Sequence, residues 1–110
     1  MRWLILAAWL APGVALADGN PQLERVWRAK CASCHGADGK AQTEQGKKMA
    51  IKDMSTAEWQ ALDDAKIKAA INDGLKRDAG GVHQEMDSYK AKLRPEQIDG
   101  LVAFIRGLKK

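Results

Sequence analysis

Both cysteines of the chain and one of its two histidines lie within five residues, Cys31-Ala32-Ser33-Cys34-His35. Two thiols at C-x-x-C spacing can each form a thioether to one vinyl group of a single haem. A histidine directly after them can supply an imidazole nitrogen to the iron. The pentapeptide therefore predicts covalent attachment of one haem c through Cys31 and Cys34, with His35 as an axial iron ligand.

Three other kinds of site use the same residue types. A thioredoxin-like redox centre needs a βαβ context, and no strand pattern surrounds Cys31. A zinc site needs four ligands, and the distant His83 does not fit the usual ligand spacing. A structural disulfide between Cys31 and Cys34 is the remaining alternative in an exported protein. The motif and the export signal agree, and together they favour haem attachment.

The N-terminus has the features of a secretory signal peptide. Arg2 provides a positive charge, residues 3–11 are apolar, and Ala15 and Ala17 occupy the small-residue positions of an A-x-A cleavage site. These features predict export to the periplasm, the side of the membrane on which c-type proteins generally acquire their haem.

The cleavage site divides the chain into a signal peptide over residues 1–17 and one small domain over residues 18–110. Retention of the signal as a membrane anchor is the alternative to cleavage before Asp18. The segment 3–17 is shorter than the about 20 apolar residues that a span needs, and Pro and Gly interrupt it. We therefore expect cleavage, with no membrane span in the mature protein.

The composition indicates one small helical domain. Ala, Lys and Leu are common, whereas Val and Ile are sparse, which favours helices over strands. The formal net charge of +4 is too small to indicate a nucleic-acid partner, although a local basic face can steer an acidic protein. Because so short a domain buries a limited core, we expect haem to form its apolar centre.

Capping residues and apolar periodicity predict four helices. They run from Pro21 to about Ala32, from Ser55 for a short stretch, from about Asp64 to Asp73, and from Pro95 to about Leu108. The glycine-containing polar segments between them are predicted to be loops, over residues 36–54 and 77–93.

With these helices the motif resembles that of a class I cytochrome c, the small soluble monohaem kind. The resemblance covers essentially all of residues 18–110. It rests on a first helix ending in the haem motif, on Met86, and on a closing Leu-Val-Ala-Phe-Ile-Arg helix. It implies an all-α fold of three to five helices wrapped around one covalently attached haem. It also implies that Trp27 and Phe104 meet where the first and last helices cross.

Two positions depart from the family pattern. The family often has Gly eight residues before the first Cys, and here Leu23 stands there, which predicts a wider or shifted helix crossing. Many members have a Pro soon after the motif whose carbonyl holds the axial His, and here none follows before Pro95. We therefore expect a backbone carbonyl in the loop after Gly39 to accept a hydrogen bond from His35.

The resemblance implies Met86 as the second axial ligand. Met86 follows the Gly80-Gly81 segment and precedes the final helix, and Tyr89 matches the aromatic of the family's ligand loop. Asp87 stands where the family commonly has Pro. A His/Met pair raises the reduction potential relative to a bis-His pair. The other candidate ligands are His83, Met49 and Met54.

A haem with both axial positions filled has no open site for a substrate. The sequence therefore predicts a monomeric electron-transfer protein, not an enzyme, that carries one electron between periplasmic redox proteins. The alternatives are a haem-bearing subunit of an oxidoreductase complex and a gas-binding or sensing haem protein in which Met86 is weak or absent.

Loop lysines predict salt-sensitive docking to acidic surfaces on these redox partners. The lysines that the family fold places around the haem edge are Lys40, Lys47, Lys48, Lys52, Lys90 and Lys92. The haem propionates need hydrogen-bond donors, and Trp59, Tyr89 or a loop lysine could supply them.

Overall fold

A computed structural model describes residues 20–109. The chain forms six helices and one hairpin in this part, in the order α1 (Pro21–Lys30), α2 (Ala32–His35), α3 (Glu44–Lys48), α4 (Ala57–Gln60), α5 (Asp64–Asp73), β1 (Leu75–Ala79), β2 (Val82–Met86) and α6 (Pro95–Arg106). The predicted signal peptide lies outside the described residues, and its cleavage stays a prediction. No helix among residues 20–109 is both long and apolar enough to cross a membrane.

Helices α1 and α6 form as their sequences predict. The Asn20 side chain accepts the Gln22 N–H (3.0 Å) at the start of α1, where Pro21 loses no helical hydrogen bond. Helix α6 buries its predicted apolar stripe and ends at Arg106, two residues before the predicted Leu108. The buried residues of this stripe are Ile98, Leu101, Val102 and Ile105.

The crossing of α1 and α6 uses a glycine from the other helix. A Cβ on Gly100 of α6 would lie 2.7 Å from Cδ1 of Leu23, much closer than two carbons can approach. Leu23 therefore occupies the space that Gly100 leaves free. The family often has glycine at the position of Leu23 on the first helix. Here the glycine is on α6 instead, at Gly100, so the two helices still meet closely.

Two predicted boundaries need correction. Segment 36–54 is not entirely loop, because Thr43 caps α3 by accepting the Gly46 N–H (2.8 Å). The short helix starts at Ala57, with Thr56 rather than Ser55 as its N-cap. Ser55 instead donates to the Asp53 carboxylate. Helix α5 spans the predicted Asp64–Asp73.

The prediction of a loop over residues 77–93 is wrong in its first half. Strands β1 and β2 pair antiparallel, with Leu75 opposite Met86 and Arg77 opposite Gln84. Gly80 and Gly81 turn the chain, both with positive φ, as tight hairpin turns require. The fold is therefore predominantly helical, as predicted, with a small hairpin added.

The core lies between α1, α5 and α6. Its fully buried centre is formed by Trp27, Ile98 and Leu101. Arg106 joins α6 to the end of α4 and the start of α5: its Nη1 donates to the Gln60 carbonyl (2.7 Å) and its Nε to Asp64 (2.8 Å). One side of α5 and one side of α6 line a large cavity.

Candidate haem site

The haem motif begins at Cys31, directly after α1, and its other four residues form α2. Helix α1 ends at Lys30, and the Cys31 N–H still donates to the Trp27 carbonyl (2.8 Å). The His35 N–H donates to the Cys31 carbonyl (2.9 Å), which closes a further turn. This winding brings Cys31, Cys34 and His35 to the lining of one cavity. We call these three residues the motif side.

Trp27 supports the motif side from within the core. Its ring is 1% exposed, and its Nε1–H donates to the Gly36 carbonyl (3.0 Å). The ring centroid lies 5.9 Å from that of His35 and 5.1 Å from that of Phe104. The predicted meeting of Trp27 and Phe104 at the helix crossing is confirmed, and the same ring restrains His35.

The segment after the motif holds Cys34 in place. The Thr43 hydroxyl donates to the Cys34 carbonyl (2.7 Å). Gly46 packs so closely that an added Cβ would overlap the carbonyl oxygens of Cys34 and Ala41. A side chain at Gly46 would therefore displace the motif. Neither residue is apparent from the sequence, because both lie in a segment predicted to be loop and meet the Cys34 backbone only in the folded chain.

The cavity has a volume of about 620 Å³, within the range of cofactor sites. Helices α5 and α6 contribute apolar side chains to it, among them Ile67, Ile71 and Leu101. The hairpin contributes a further set, which we call the hairpin side: Leu75, Arg77, Ala79, Gln84, Glu85 and Met86. The cavity therefore joins the attachment motif and the predicted second ligand.

Burial fixes the protonation states on the motif side. It lowers the pKa of His35, so the imidazole is neutral at pH 7 and keeps a lone pair for a metal. Burial, and then the neighbouring Cys34, raise the pKa of the free Cys31 thiol to about 11. Burial also raises the pKa of Tyr89, whose hydroxyl donates to the Lys30 carbonyl (3.0 Å).

The expected carbonyl partner of His35 is not found. Among the described residues, Nδ1 of His35 is buried and has no hydrogen-bond partner, so the expectation for the loop after Gly39 is wrong. A buried imidazole nitrogen without a partner is costly. Because Nδ1 is enclosed by protein, Nε2 is the ring nitrogen left to bind a group in the cavity. The cavity, two free thiols and a neutral imidazole fit covalent haem c.

The alternatives to haem attachment gain no support from the described residues. Cys31 and Cys34 are free thiols rather than a disulfide. Residues 20–109 contain no cluster of three or more His, Cys, Asp or Glu side chains placed to hold a metal ion. The strands form one antiparallel hairpin, not the βαβ unit that a thioredoxin-like centre needs.

The candidates for the second axial ligand separate in space. Met86, Met49 and Met54 line the cavity, but Met54 is buried in the apolar core. His83 lies outside the cavity lining on an exposed face of the hairpin, where its Nδ1 lies 3.0 Å from the Asp78 carboxylate. Met86 is half-buried at the end of β2. Its assignment as the ligand stays a prediction that this placement supports.

Of the side chains predicted to serve the propionates or to surround the haem edge, some line the cavity and others do not. Trp59, Tyr89 and Lys52 line the cavity, so each can still serve a propionate. Lys90 and Lys92 instead lie within 4 Å of Asp73 and Asp87, respectively. The remaining predicted lysines do not line the cavity: Lys40 in the loop before α3, and Lys47 and Lys48 in α3.

Sequence analysis also missed Arg77, Gln84 and Lys30, which line the cavity. Arg77 and Gln84 are positioned by the hairpin, and the Gly80-Gly81 pair was the sequence signal for it. A two-residue glycine turn pairs the residues on either side of it.

A mainly helical domain with a cavity lined by C-x-x-C-H is a c-type haem protein. The Cytochrome c family model matches residues 24–109, and the chain belongs to the cytochrome c family. Members of this family are typically electron carriers rather than enzymes. Membership together with Cys31 and Cys34 implies covalent haem c.

Solved structures agree with this assignment. The chain is similar to the KustC0563 c-type cytochrome, with a TM-score of 0.65 and 34% identity, covering 79% of this chain and 96% of that one. A point mutant of that cytochrome matches with a TM-score of 0.63 and 32% identity, covering 79% and 98% of the two chains. No curated protein shows significant sequence similarity to the chain.

Proposed function

We propose that this cytochrome is a periplasmic one-electron carrier whose iron is ligated by His35 and Met86. One observation carries the proposal: Cys31, Cys34, His35 and Met86 all line the same cavity. With both axial positions filled, no coordination site is left for a substrate, and one-electron exchange is the chemistry that remains.

The side chains around the cavity suit this task. Haem c bound there supplies an iron that accepts one electron and gives it up again. Trp27, which packs against Phe104, contacts the His35 ring from the core, and Ile67 and Ile71 add apolar surface to the cavity. A rigid, dry ligand set changes little between oxidation states, which favours rapid exchange. The Met86 thioether stabilises the ferrous state and raises the reduction potential.

The test of the ligand set is optical. The oxidised protein, matured with its haem, is expected to show the weak far-red band of sulfur-to-iron charge transfer. Met86→Ala abolishes this band, whereas His83→Ala, the matched change on the same strand, preserves it. A wild-type protein without the band, whose low-spin spectrum survives Met86→Ala and is lost in His83→Ala, has His83 as the ligand instead. A wild-type protein that lacks the band and binds carbon monoxide at neutral pH, when reduced, is instead a gas-binding protein.

The partner in this proposal is a redox protein with an acidic docking surface. Two exposed lysines, Lys30 and Lys52, line the cavity and are the residues best placed to meet it. Lys30→Glu and Lys52→Glu are expected to slow electron transfer to an acidic redox protein at low salt. Lys66→Glu changes the net charge equally but lies outside the cavity lining on α5, and leaves the rate unchanged. A rate independent of salt contradicts the docking mode.

Export is tested separately. Mature protein recovered from a periplasmic fraction is expected to begin at Asp18 and to elute as a monomer. A membrane-bound form that retains residues 1–17 contradicts the free-carrier proposal and favours an anchored subunit of an oxidoreductase complex.

A further inference from the structure

Most hairpin side chains that line the cavity lie on one face of the hairpin, with Glu85 as the exception. Side chains two residues apart on a strand share a face, so Gln84 and Met86 of β2 lie on the same one, and both line the cavity. Arg77 lies directly opposite Gln84, and Leu75 opposite Met86. Any force on Gln84 therefore acts on the strand, and on the face, that carries Met86.

The Gln84 amide joins this face to a distant turn. Its Nε2–H group donates to the Met49 carbonyl (2.8 Å) and lies 3.3 Å from the Ala50 carbonyl. Its Oε1 accepts from Nε of Arg77 (2.8 Å). The bond to Arg77 fixes which way the amide points, so its N–H groups face the turn after α3. One side chain thus connects segments 35 residues apart.

Few other contacts hold the hairpin to the body of the protein. Its root is fixed where the Tyr89 N–H donates to the Ile71 carbonyl (2.9 Å). Its tip is open, because a Cβ on Gly80 or Gly81 would meet nothing within 4 Å. The Lys76–Glu85 ion pair (3.5 Å) joins the two strands to each other. Within residues 20–109, the side-chain hydrogen bonds from the hairpin to the body are those of Gln84.

We propose that Gln84 is a positioning residue for the iron ligand Met86. Its amide holds β2 against residues 49–50 and so keeps the Met86 thioether at the iron. The inference rests on the proposed function, since it requires Met86 to be the second ligand. Without the amide, the state in which Met86 is released becomes more populated. Carbon monoxide binds the iron only when Met86 is released. Its apparent affinity therefore rises in proportion to the population of the released state.

The test uses two substitutions in the protein with its haem attached. Gln84→Leu removes both the donor and the acceptor. Gln84→Glu keeps the side-chain size and the acceptor for Arg77, but the carboxylate has no N–H for Met49 and Ala50. Losing a hydrogen bond of ordinary strength is expected to raise the carbon monoxide affinity of the reduced protein about tenfold in both variants. The far-red band of the oxidised protein is also expected to disappear at a lower temperature.

The matched control is Lys76→Ala, which removes a contact of the same hairpin on its other face. It is expected to change neither the carbon monoxide affinity nor the band. Equal changes in the control and the Gln84 variants overturn the proposal, because they indicate general loosening of the hairpin. A wild-type affinity in Gln84→Glu overturns it as well, because the donation to residues 49–50 is then irrelevant.

Failure of this inference is distinguishable from failure of the proposed function. If the wild-type protein lacks the far-red band, or Met86→Ala keeps it, the ligand set itself is wrong. If Met86→Ala loses the band but neither Gln84 variant alters the band or the carbon monoxide affinity, the carrier proposal stands and the positioning role is wrong.

Discussion

The motif side and the hairpin side of the cavity are built differently. On the motif side, helical backbone bonds fix Cys31 and His35, and the fully buried Trp27 lies behind them. On the hairpin side, Met86 ends a two-stranded ribbon whose first strand is exposed along its whole length. Two-stranded ribbons have little stability of their own. The predicted axial ligand His35 is therefore supported by the core, whereas the proposed second ligand Met86 belongs to a peripheral element.

The two sides of the cavity support different functions: the motif side supports covalent haem attachment, and the hairpin side supports ligation by Met86. Covalent attachment requires thiols and an imidazole held in fixed relative positions, which the core supplies. A thioether ligand needs only to remain close, and a few hydrogen bonds suffice for that. Changes on the motif side should therefore affect attachment and global stability. Changes on the hairpin side should affect ligation first.

The largest expected effect is loss of covalent attachment on the motif side. The double variant Cys31→Ala with Cys34→Ala has no thiol to form a thioether, so acid acetone should extract all of its pigment. Ser33→Ala, the exposed residue between the two cysteines, should retain the pigment completely. Pigment that resists extraction from the double variant contradicts the assignment of both thioethers.

The next effect tests the core behind the motif. Trp27→Ala removes a fully buried ring and should lower the free energy of unfolding by about 3–5 kcal/mol. Trp27→Phe keeps most of the packing against Phe104 and loses the donor to the Gly36 carbonyl, a loss of about 1 kcal/mol. Urea denaturation of the haem-bearing protein measures both. Equal losses would mean that the hydrogen bond, not the packing, dominates.

The hairpin root and the hairpin tip are compared through two glycines with positive φ. Gly74 at the root has φ 74° and ψ −177°, and Gly80 at the tip has φ 59°, so an alanine at either costs about 1–3 kcal/mol in backbone strain. At Gly74 the added Cβ also overlaps the Met86 carbonyl, whereas at Gly80 it meets open space. Gly74→Ala should therefore cost about 1–3 kcal/mol more by overpacking.

The two glycine variants should also differ in ligation. Gly74→Ala should weaken the far-red band without releasing haem, because the clash displaces Met86 but not the motif. Gly80→Ala should leave the band intact. A band equally weakened in both variants would show that hairpin strain anywhere reaches the iron.

The smallest effect concerns the turn that Gln84 binds. Ala50 has φ 52°, a conformation that favours glycine. Ala50→Gly should stabilise the protein by up to about 1 kcal/mol. The same change at Ala69, which is exposed within α5, should instead destabilise it by about 1 kcal/mol. Thermal unfolding distinguishes the two signs, and destabilisation by Ala50→Gly would show that its backbone is not strained.

The residues of the motif side are apparent from the sequence, whereas most residues of the hairpin side are not, for a physical reason. The spacing of Cys31, Cys34 and His35 and the apolar stripe of α6 are local patterns, readable along a single segment. Gln84 acquires its role only through its contact with Met49, far away in the chain. Its hairpin was hidden because the segments on either side of Gly80 and Gly81 are mostly charged and polar, with Val82 as the single β-branched residue in the two strands. The role of Gly46 was hidden in the same way, since only the folded backbone brings it against Cys34.

At the crossing of α1 and α6 a large residue, Leu23, packs against a glycine, Gly100. This pairing has a consequence for chimeras of this protein. A first helix borrowed from a relative with glycine at the position of Leu23 would face Gly100 and leave a void. The reciprocal graft, a last helix bearing a side chain at the position of Gly100, would collide with Leu23. The two helices are therefore interchangeable only as a pair. A sequence search that demands glycine in the first helix would overlook proteins built in this way.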